Sequence, residues 1–150
     1  MRHLKKGQSL FEVVLALFVI TLIIVAVVIL STNSISNSIS SRNKTLASKY
    51  TQEAIEWLRK QKEVDFVSFK SYITSNSTYC LRATLDWNFP GNCSSSENIG
   101  TTIFRREASF VSEINDGKTL ITAHVATSWD DSKGTHEART VTYFTDTRDQ

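Results

Sequence analysis

The sequence predicts an α+β fold, one long N-terminal helix packed on a four-stranded antiparallel sheet. Three observations predict it. An apolar run from Val13 to Leu30, broken only by Thr21, leads into apolar residues at helical spacing as far as about Lys62. Beyond Glu63 the period changes to two, the period of a half-buried strand. Turn-forming clusters then recur at Asn88–Cys93, Asn115–Lys118 and Asp130–Gly134 and cut the C-terminal half into strands. A helix and a single antiparallel layer satisfy each other by burying one face of each.

The N-terminal run comes first. Val13–Leu30 is 18 residues long, and Leu10 and Phe11 extend it. About 20 residues of helix, at ~1.5 Å each, cross the ~30 Å hydrocarbon core of a bilayer. The run is rich in valine and isoleucine, indifferent helix formers in water. In lipid an unpaired backbone amide costs several kcal/mol, and a helix pairs them all within one segment. Arg2, Lys5 and Lys6 precede the run and the polar bulk follows it. The positive-inside tendency leaves the N-terminus in the cytoplasm and sends residues 31 onward across.

Residues 31–45 are mostly serine, threonine and asparagine, a linker-like composition. Yet Ile35, Ile39, Leu46, Tyr50, Ala54, Trp57 and Leu58 keep one helical stripe, and Glu53, Glu56, Arg59, Lys60 and Lys62 fall mostly off it. The helix is therefore expected to continue to about Lys62, weakened near 31–45, as a rod of roughly 80 Å. Two helices joined by a hinge fit the same residues. Phe66, Phe69 and Tyr72–Ile73 form an aromatic stretch, either one helical turn or a loop laid on the core.

The strands are expected at Tyr79–Trp87, Thr101–Ser112, Thr119–Trp129 and Thr135–Thr145. Asn115-Asp116-Gly117-Lys118 is a hairpin turn. In the third strand Ile121, Ala123, Val125, Thr127 and Trp129 share the face that suits a core. In the last, Val141 and Tyr143 lie on one face and Thr142 and Phe144 on the other. The organisation is thus a short basic stretch at 1–7, a membrane-length helix at 8–30, an amphipathic continuation at 31–63 and a globular β-domain at 64–150.

The totals exclude several functions. The net charge is +2, with no arginine or lysine stripe and no nucleic-acid-reading motif. Cys80 and Cys93 are the two cysteines, with 12 residues between them, which rules out a CxxC redox or zinc pair. On the far side of a membrane such thiols oxidise, so a Cys80–Cys93 disulfide is expected. His124 and His136 are expected more than ~10 Å apart on adjacent strands, with His136 opposite about Ser128, too far to share a metal. The acidic turn at Asp130–Asp131 lacks the ligand pattern of a calcium loop. No phosphate loop and no G-x-S-x-G serine is present, so no catalytic residue, metal or cofactor is assigned.

One carboxylate stands out. Glu12 lies at the mouth of the apolar run, where a charge is penalised. Cleavage after Gly7 would create a new amine at Gln8, one helical turn from Glu12 on the same face. The order Lys5-Lys6-Gly7-Gln8-Ser9-Leu10-Phe11-Glu12, then Val13–Leu30, resembles the class III leader of type IV pilins and of the pseudopilins of type II secretion. That family has a basic leader, a glycine before the cut, glutamate at the fifth mature position and a hydrophobic helix. Gln52–Arg59 and the terminal hairpin from Trp129 to Asp146 are also similar to minor pilins.

The resemblance implies a pilin-like fold. It implies a prepilin peptidase that cuts Gly7–Gln8 and methylates the Gln8 amine, and Glu12 as an assembly salt bridge. Other pilin subunits contact the apolar helix, and an assembly platform lifts the chain from the bilayer into a surface or periplasmic filament. First mature residues of the family are usually phenylalanine, and many major pilins carry a proline in the helix; Gln8 and the proline-free run point to a minor pilin or pseudopilin. A single-pass anchored sensor or binding protein needs neither Gly7 nor Glu12. A secreted protein cut near Ser31–Ser34 would have an h-region beyond the usual 7–15 residues and no clear A-x-A site.

The mature N-terminus separates these readings. Mass spectrometry is expected to find Gln8 first, with an open, methylated amine. A pyroglutamate at Gln8 removes the positive charge and defeats the ion pair with Glu12.

Overall fold

The computed structural model describes residues 10–73, 77–115 and 118–145. Helix α1 is Leu10–Val64 and α2 is Phe66–Tyr72; strands β1 Thr78–Cys80, β2 Phe104–Asn115, β3 Lys118–Asp131 and β4 Gly134–Thr145 follow. The sheet is antiparallel in the order β1-β2-β3-β4. The α+β arrangement is as the sequence predicts. The chain divides into two compact units, Met1–Arg42 and Asn43–Gln150.

Every residue of α1 is helical, including the serine-rich stretch at 31–45. Thr32 helps, its hydroxyl donating to the carbonyls of Val28 and Ile29 at 3.0 and 2.9 Å. The stripe divides, however. Ile35 and Ile39 are exposed, whereas Ala47, Thr51, Ala54, Ile55 and Leu58 are buried against the sheet. Asp65 then caps α2, accepting from the amides of Val67 and Ser68 at 2.9 and 3.1 Å. Of the two readings of the aromatic stretch, the helix is the one observed, and it buries Phe66 and Phe69.

The inner face of β3 carries Ile121, Ala123, Val125, Thr127 and Trp129, all buried as their alternation predicts. Phe104, Arg106, Ala108 and Phe110 do the same on β2, and Phe144 on β4. Two apolar clusters result. The larger joins Leu58, Phe69, Leu81, Phe110, Val125 and Phe144; the smaller joins Ala47, Ile99, Phe104 and Trp129. Thr51, the polar residue on the buried helical stripe, donates to the Ala47 carbonyl at 3.0 Å and meets the Thr127 hydroxyl at 2.9 Å. Helix and sheet are pinned there without an orphaned hydroxyl.

Several strand boundaries differ from expectation. The first strand stops at Cys80 instead of reaching Trp87. The carbonyls of Leu81 and Arg82 turn to the Arg106 guanidinium at 3.3 and 2.8 Å, so the chain leaves the ladder. β2 begins at Phe104 because residues 99–102 form a turn, with Gly100 at φ 59° and the Thr102 amide donating to the Ile99 carbonyl. β2 and β3 pair up to Asn115 opposite Lys118; the intervening Asp116 and Gly117 lie outside the described residues.

The β3–β4 turn is tighter than predicted. Asp131 pairs with Gly134, at φ 119°, and His136 faces Trp129 instead of Ser128. A one-residue slip moves a side chain to the other face. His136 is thus half-buried on the inner side, stacked on Trp129 at 5.4 Å, with Nε2 2.9 Å from Asp131. Hydrogen bonds from the Lys133 amide and from His136 hold the Asp131 carboxyl below its usual range. Those from Thr135 and Arg105 do the same for Asp130.

Arg106 is the polar centre of the core. Its side chain has no exposed surface, and it donates to Tyr50 O (3.0 Å), Glu53 (2.9 Å), Leu81 O and Arg82 O. Burial pushes its pKa down, opposed by Glu53. Arg106→Ala removes its hydrogen bonds to Tyr50 O, Glu53, Leu81 O and Arg82 O and opens a cavity, an expected loss of about 2–4 kcal/mol. Glu53→Gln, at a half-exposed partner, is expected to cost about 1 kcal/mol. Denaturant unfolding followed by tryptophan fluorescence measures both, and equal losses would contradict this ordering.

Candidate functional site

The apolar half of α1 has none of its large apolar side chains buried in the fold. From Leu10 to Leu30 no large apolar side chain is buried, and exposures run from 47% at Val13 and Val19 to 81% at Leu10. The mean hydropathy of its most apolar 18-residue window is 3.6, and the helix is long and apolar enough to cross a membrane. Contiguous apolar patches on soluble monomers rarely exceed a few hundred Å². A full turn-by-turn apolar cylinder needs a cover, either lipid or other helices.

The exceptions to apolarity are handled within the helix or placed at its end. The Thr21 hydroxyl donates to the Phe18 carbonyl at 2.7 Å, so its polar atom is satisfied in the absence of water. Glu12 stands in the first turn, where the helix dipole favours an anion. It has no ion-pair partner among the described residues. Gly7 and Gln8, the expected cleavage and methylation site, lie outside the described residues, as does the rest of the leader.

The second predicted pair is joined. Cys80 and Cys93 form a disulfide across a Cα–Cα distance of 4.9 Å. It is one of several ties on the long segment between β1 and β2. The Cys80 amide donates to Phe89 O at 2.9 Å and the Gly91 amide to Thr78 O at 2.7 Å. The Cys93 amide donates to Glu107 at 2.8 Å. Arg82 pairs with Glu97, whose carboxyl is held low by the Ser94 amide and then by Arg82, and lies 3.6 Å over the Phe89 ring. Trp87 packs on Trp57, Tyr72 and Tyr79 at 4.7, 5.1 and 5.0 Å. Tyr79 donates to Tyr72 O at 2.6 Å, and burial raises its pKa.

No known protein family, curated protein or solved structure matches this chain. The site must be read from its own chemistry. No group of three or more histidine, cysteine, aspartate or glutamate side chains able to hold a metal occurs among the described residues. The outer sheet face carries a depression of about 220 Å³ lined by Glu107, Ser109, Ala126, Ser128, Glu137 and Arg139. His124 lines it too, on the face opposite His136, so the histidines are not brought together.

Sequence reasoning missed Arg106 and Trp87. The signal for Arg106 was its parity with Phe104 and Phe110. For Trp87 no periodic signal exists, because its segment is irregular.

Replacing Cys80 and Cys93 by serine frees a loop of 13-residue separation. The expected cost is about 3 kcal/mol by loop-closure entropy. Unfolding of the wild type with and without reductant should reproduce the loss, and the double variant should be indifferent to reductant.

Proposed function

We propose that this protein is a structural subunit, a minor pilin or pseudopilin, of a type IV pilus-like filament. In this reading it is inserted with its N-terminus in the cytoplasm, cut between Gly7 and Gln8 by a prepilin peptidase, methylated at Gln8 and built into the filament through its N-terminal helix. The observation that carries the reading is the uncovered apolar helix with a single carboxylate in its first turn. A membrane anchor alone accounts for the helix and leaves Glu12 without a use. A filament accounts for both, since subunits stacked on one another replace lipid by like helices and bring an amine to the carboxylate.

The chemistry is non-covalent apart from processing. Before assembly, lipid covers Leu10–Leu30, and Glu12 sits at the headgroup level, where a charge is tolerated. Assembly buries both the apolar surface and the carboxylate, and the free Gln8 amine makes that burial tolerable. Side-chain packing between helices, with little gain from the hydrophobic effect, supplies the cohesion, as in membrane bundles. The sheet domain is carried on the filament and faces solvent.

Glu12→Ala tests it. Breaking a buried ion pair by removing one partner costs about 3–5 kcal/mol, so incorporation into filaments is expected to fall about a hundredfold or more. Membrane insertion, followed by fractionation and protease accessibility, should be unchanged. Normal behaviour of the variant in every respect would favour a single-pass anchored binding or sensor protein that does not polymerise.

A further inference from the structure

Helices α1 and α2 pack on the inner face of the sheet, and the outer face of β2, β3 and β4 is turned to solvent. The registers lay this outer face out in rows, one residue from each strand. Arg105, Ser128 and Glu137 form one row, and Glu107, Ala126 and Arg139 form the next. Ser109, His124 and Val141 follow, then Val111, Thr122 and Tyr143.

The distribution of residue types on these rows is that of an interface, with a charge-poor middle and a polar margin. In all four rows the middle position, on β3, is Ser128, Ala126, His124 or Thr122, and the acids and arginines stand on β2 and β4. The small side chains of Ala126 and Ser128 line the depression of about 220 Å³ and let another surface come close. Glu137 and Arg139 pair with each other at 3.1 Å, yet each is at least half exposed and keeps hydrogen-bonding capacity outward. In the fourth row Tyr143 is 66% exposed.

The signs of the charges have a symmetry. In the first row β2 is positive and β4 negative; in the second the order is reversed. A two-fold axis along β3, just above the face, sets β2 of one copy over β4 of another, row upon row. Arg105 then meets Glu137, Glu107 meets Arg139 and Val111 meets Tyr143, each twice. We infer that the outer sheet face is a homotypic docking surface, which packs on the same face of a second copy about an axis parallel to the strands.

The membrane anchor selects the axis. Segment 47–58 of α1 runs along the strands, from Ala47 in the cluster with Phe104 and Trp129 to Leu58 in the cluster with Phe110 and Phe144. An axis parallel to the strands leaves the two helices in the same sense, as copies held by residues 10–30 in one bilayer require. An axis across the strands also joins opposite charges, but it reverses the helices. On the chosen axis Ser128, Ala126 and Thr122 face their own copies without charge. His124 does too, and a neutral imidazole has one donor and one acceptor nitrogen to offer its mate. Asp130, at the end of the face, is held by its own Arg105 and Thr135, each at 2.6 Å. A patch three strands wide and four rows long is small against the ~1,600 Å² of a standard complex, so the pair is weak in dilute solution. Confinement to one membrane raises the effective concentration, as tethering does. The pairing uses the anchor and does not require a filament.

Cross-linking of the full-length chain in membranes tests it. The native cysteines are consumed in the Cys80–Cys93 bond, so introduced thiols are unambiguous. Thr122→Cys places a thiol on the axis, opposite its own mate, and a short bis-maleimide bridges the ~10 Å between packed sheets. Glu56→Cys, on the exposed side of α1, reports random collision. The expected dimer from Thr122→Cys is about tenfold above that from Glu56→Cys.

Charge exchange then tests the facing rows. Glu137→Arg with Arg139→Glu keeps the net charge and the pair within β4, but makes both facing rows like-signed. Arg105→Glu with Glu107→Arg does the same from β2. Each double variant, carrying Thr122→Cys, should lose the dimer about tenfold alone, and the two co-expressed should restore it as a mixed dimer. The β4 exchange leaves opposite charges joined about the crosswise axis, so its loss of dimer is specific to the axis along the strands.

Equal yields from Thr122→Cys and Glu56→Cys, a full yield from the β4 exchange alone, or capture of a different protein by Thr122→Cys in place of a second copy would overturn the inference. So would two folded exchange variants that fail to restore each other. Retention of the Cys80–Cys93 bond marks a folded variant; if the β2 exchange loses it, the β4 exchange and the Thr122/Glu56 comparison decide. Glu12→Ala should leave the Thr122→Cys cross-link intact, so loss of filaments and loss of this pair are separate results.

Discussion

A guanidinium with no exposed surface sits where helix, sheet and irregular segment meet, and the globular unit depends on its being satisfied. Removing an arginine from water is expensive, which is why its pKa is pushed down. The compensation comes from geometry. Arg106 presents a planar fork of donors, and the fold supplies acceptors on three sides: Tyr50 O and Glu53 from α1, Leu81 O from the end of β1, and Arg82 O beyond it. A lysine could not reach all of them in one plane. The cost of burial thus becomes a condition on the backbone, since β1 must stop at Cys80 for those carbonyls to turn inward.

The long segment between β1 and β2 is held by the same logic. It lacks a ladder of its own, and its order comes from tying polar groups to neighbours and from one large aromatic anchor. Trp87 is in ring contact with Trp57, Phe69, Tyr72, Tyr79 and Phe110. The Cys80–Cys93 bond closes the segment near its base, and Pro90 guards the outer side. A small sheet with one packed face has limited apolar area to bury, and covalent and aromatic staples make up the difference.

What was legible in the sequence was whatever repeats. The alternation of Ile121, Ala123, Val125, Thr127 and Trp129 and the spacing of Tyr50, Ala54, Trp57 and Leu58 are periodic, and periodicity survives without knowledge of neighbours. Arg106 was legible by parity alone and was obscured by its type, because arginine at an inward position is admissible only where acceptors converge from distant parts of the chain. His136 was misplaced by one residue, since a tight turn at Ser132-Lys133 and a wider one at Asp130–Gly134 have nearly the same composition. The early end of the first strand is a tertiary effect, decided by Arg106 some 25 residues later in the chain. Of the candidate site, the apolar run and the disulfide pairing were readable directly, whereas the role proposed for Glu12 involves a second chain and no contact within this one.

The two surfaces left open by the fold differ in what can close them. The apolar stretch of α1 exposes side chains with no backbone bonding capacity, because the helix has already paired its own amides, and Thr21 has even turned its hydroxyl inward to Phe18. Such a surface is indifferent to direction and accepts any apolar cover of sufficient length, lipid or helix alike. In the proposed filament, the charge that would give it register is Glu12. The β4 edge is the reverse case. Its outward backbone groups are directional and have no strand partner among the described residues, and water can satisfy them. Within the globular unit the same division of labour holds: apolar area supplies adhesion, and the single buried charge of Arg106 decides which arrangement of the backbone around it is admissible.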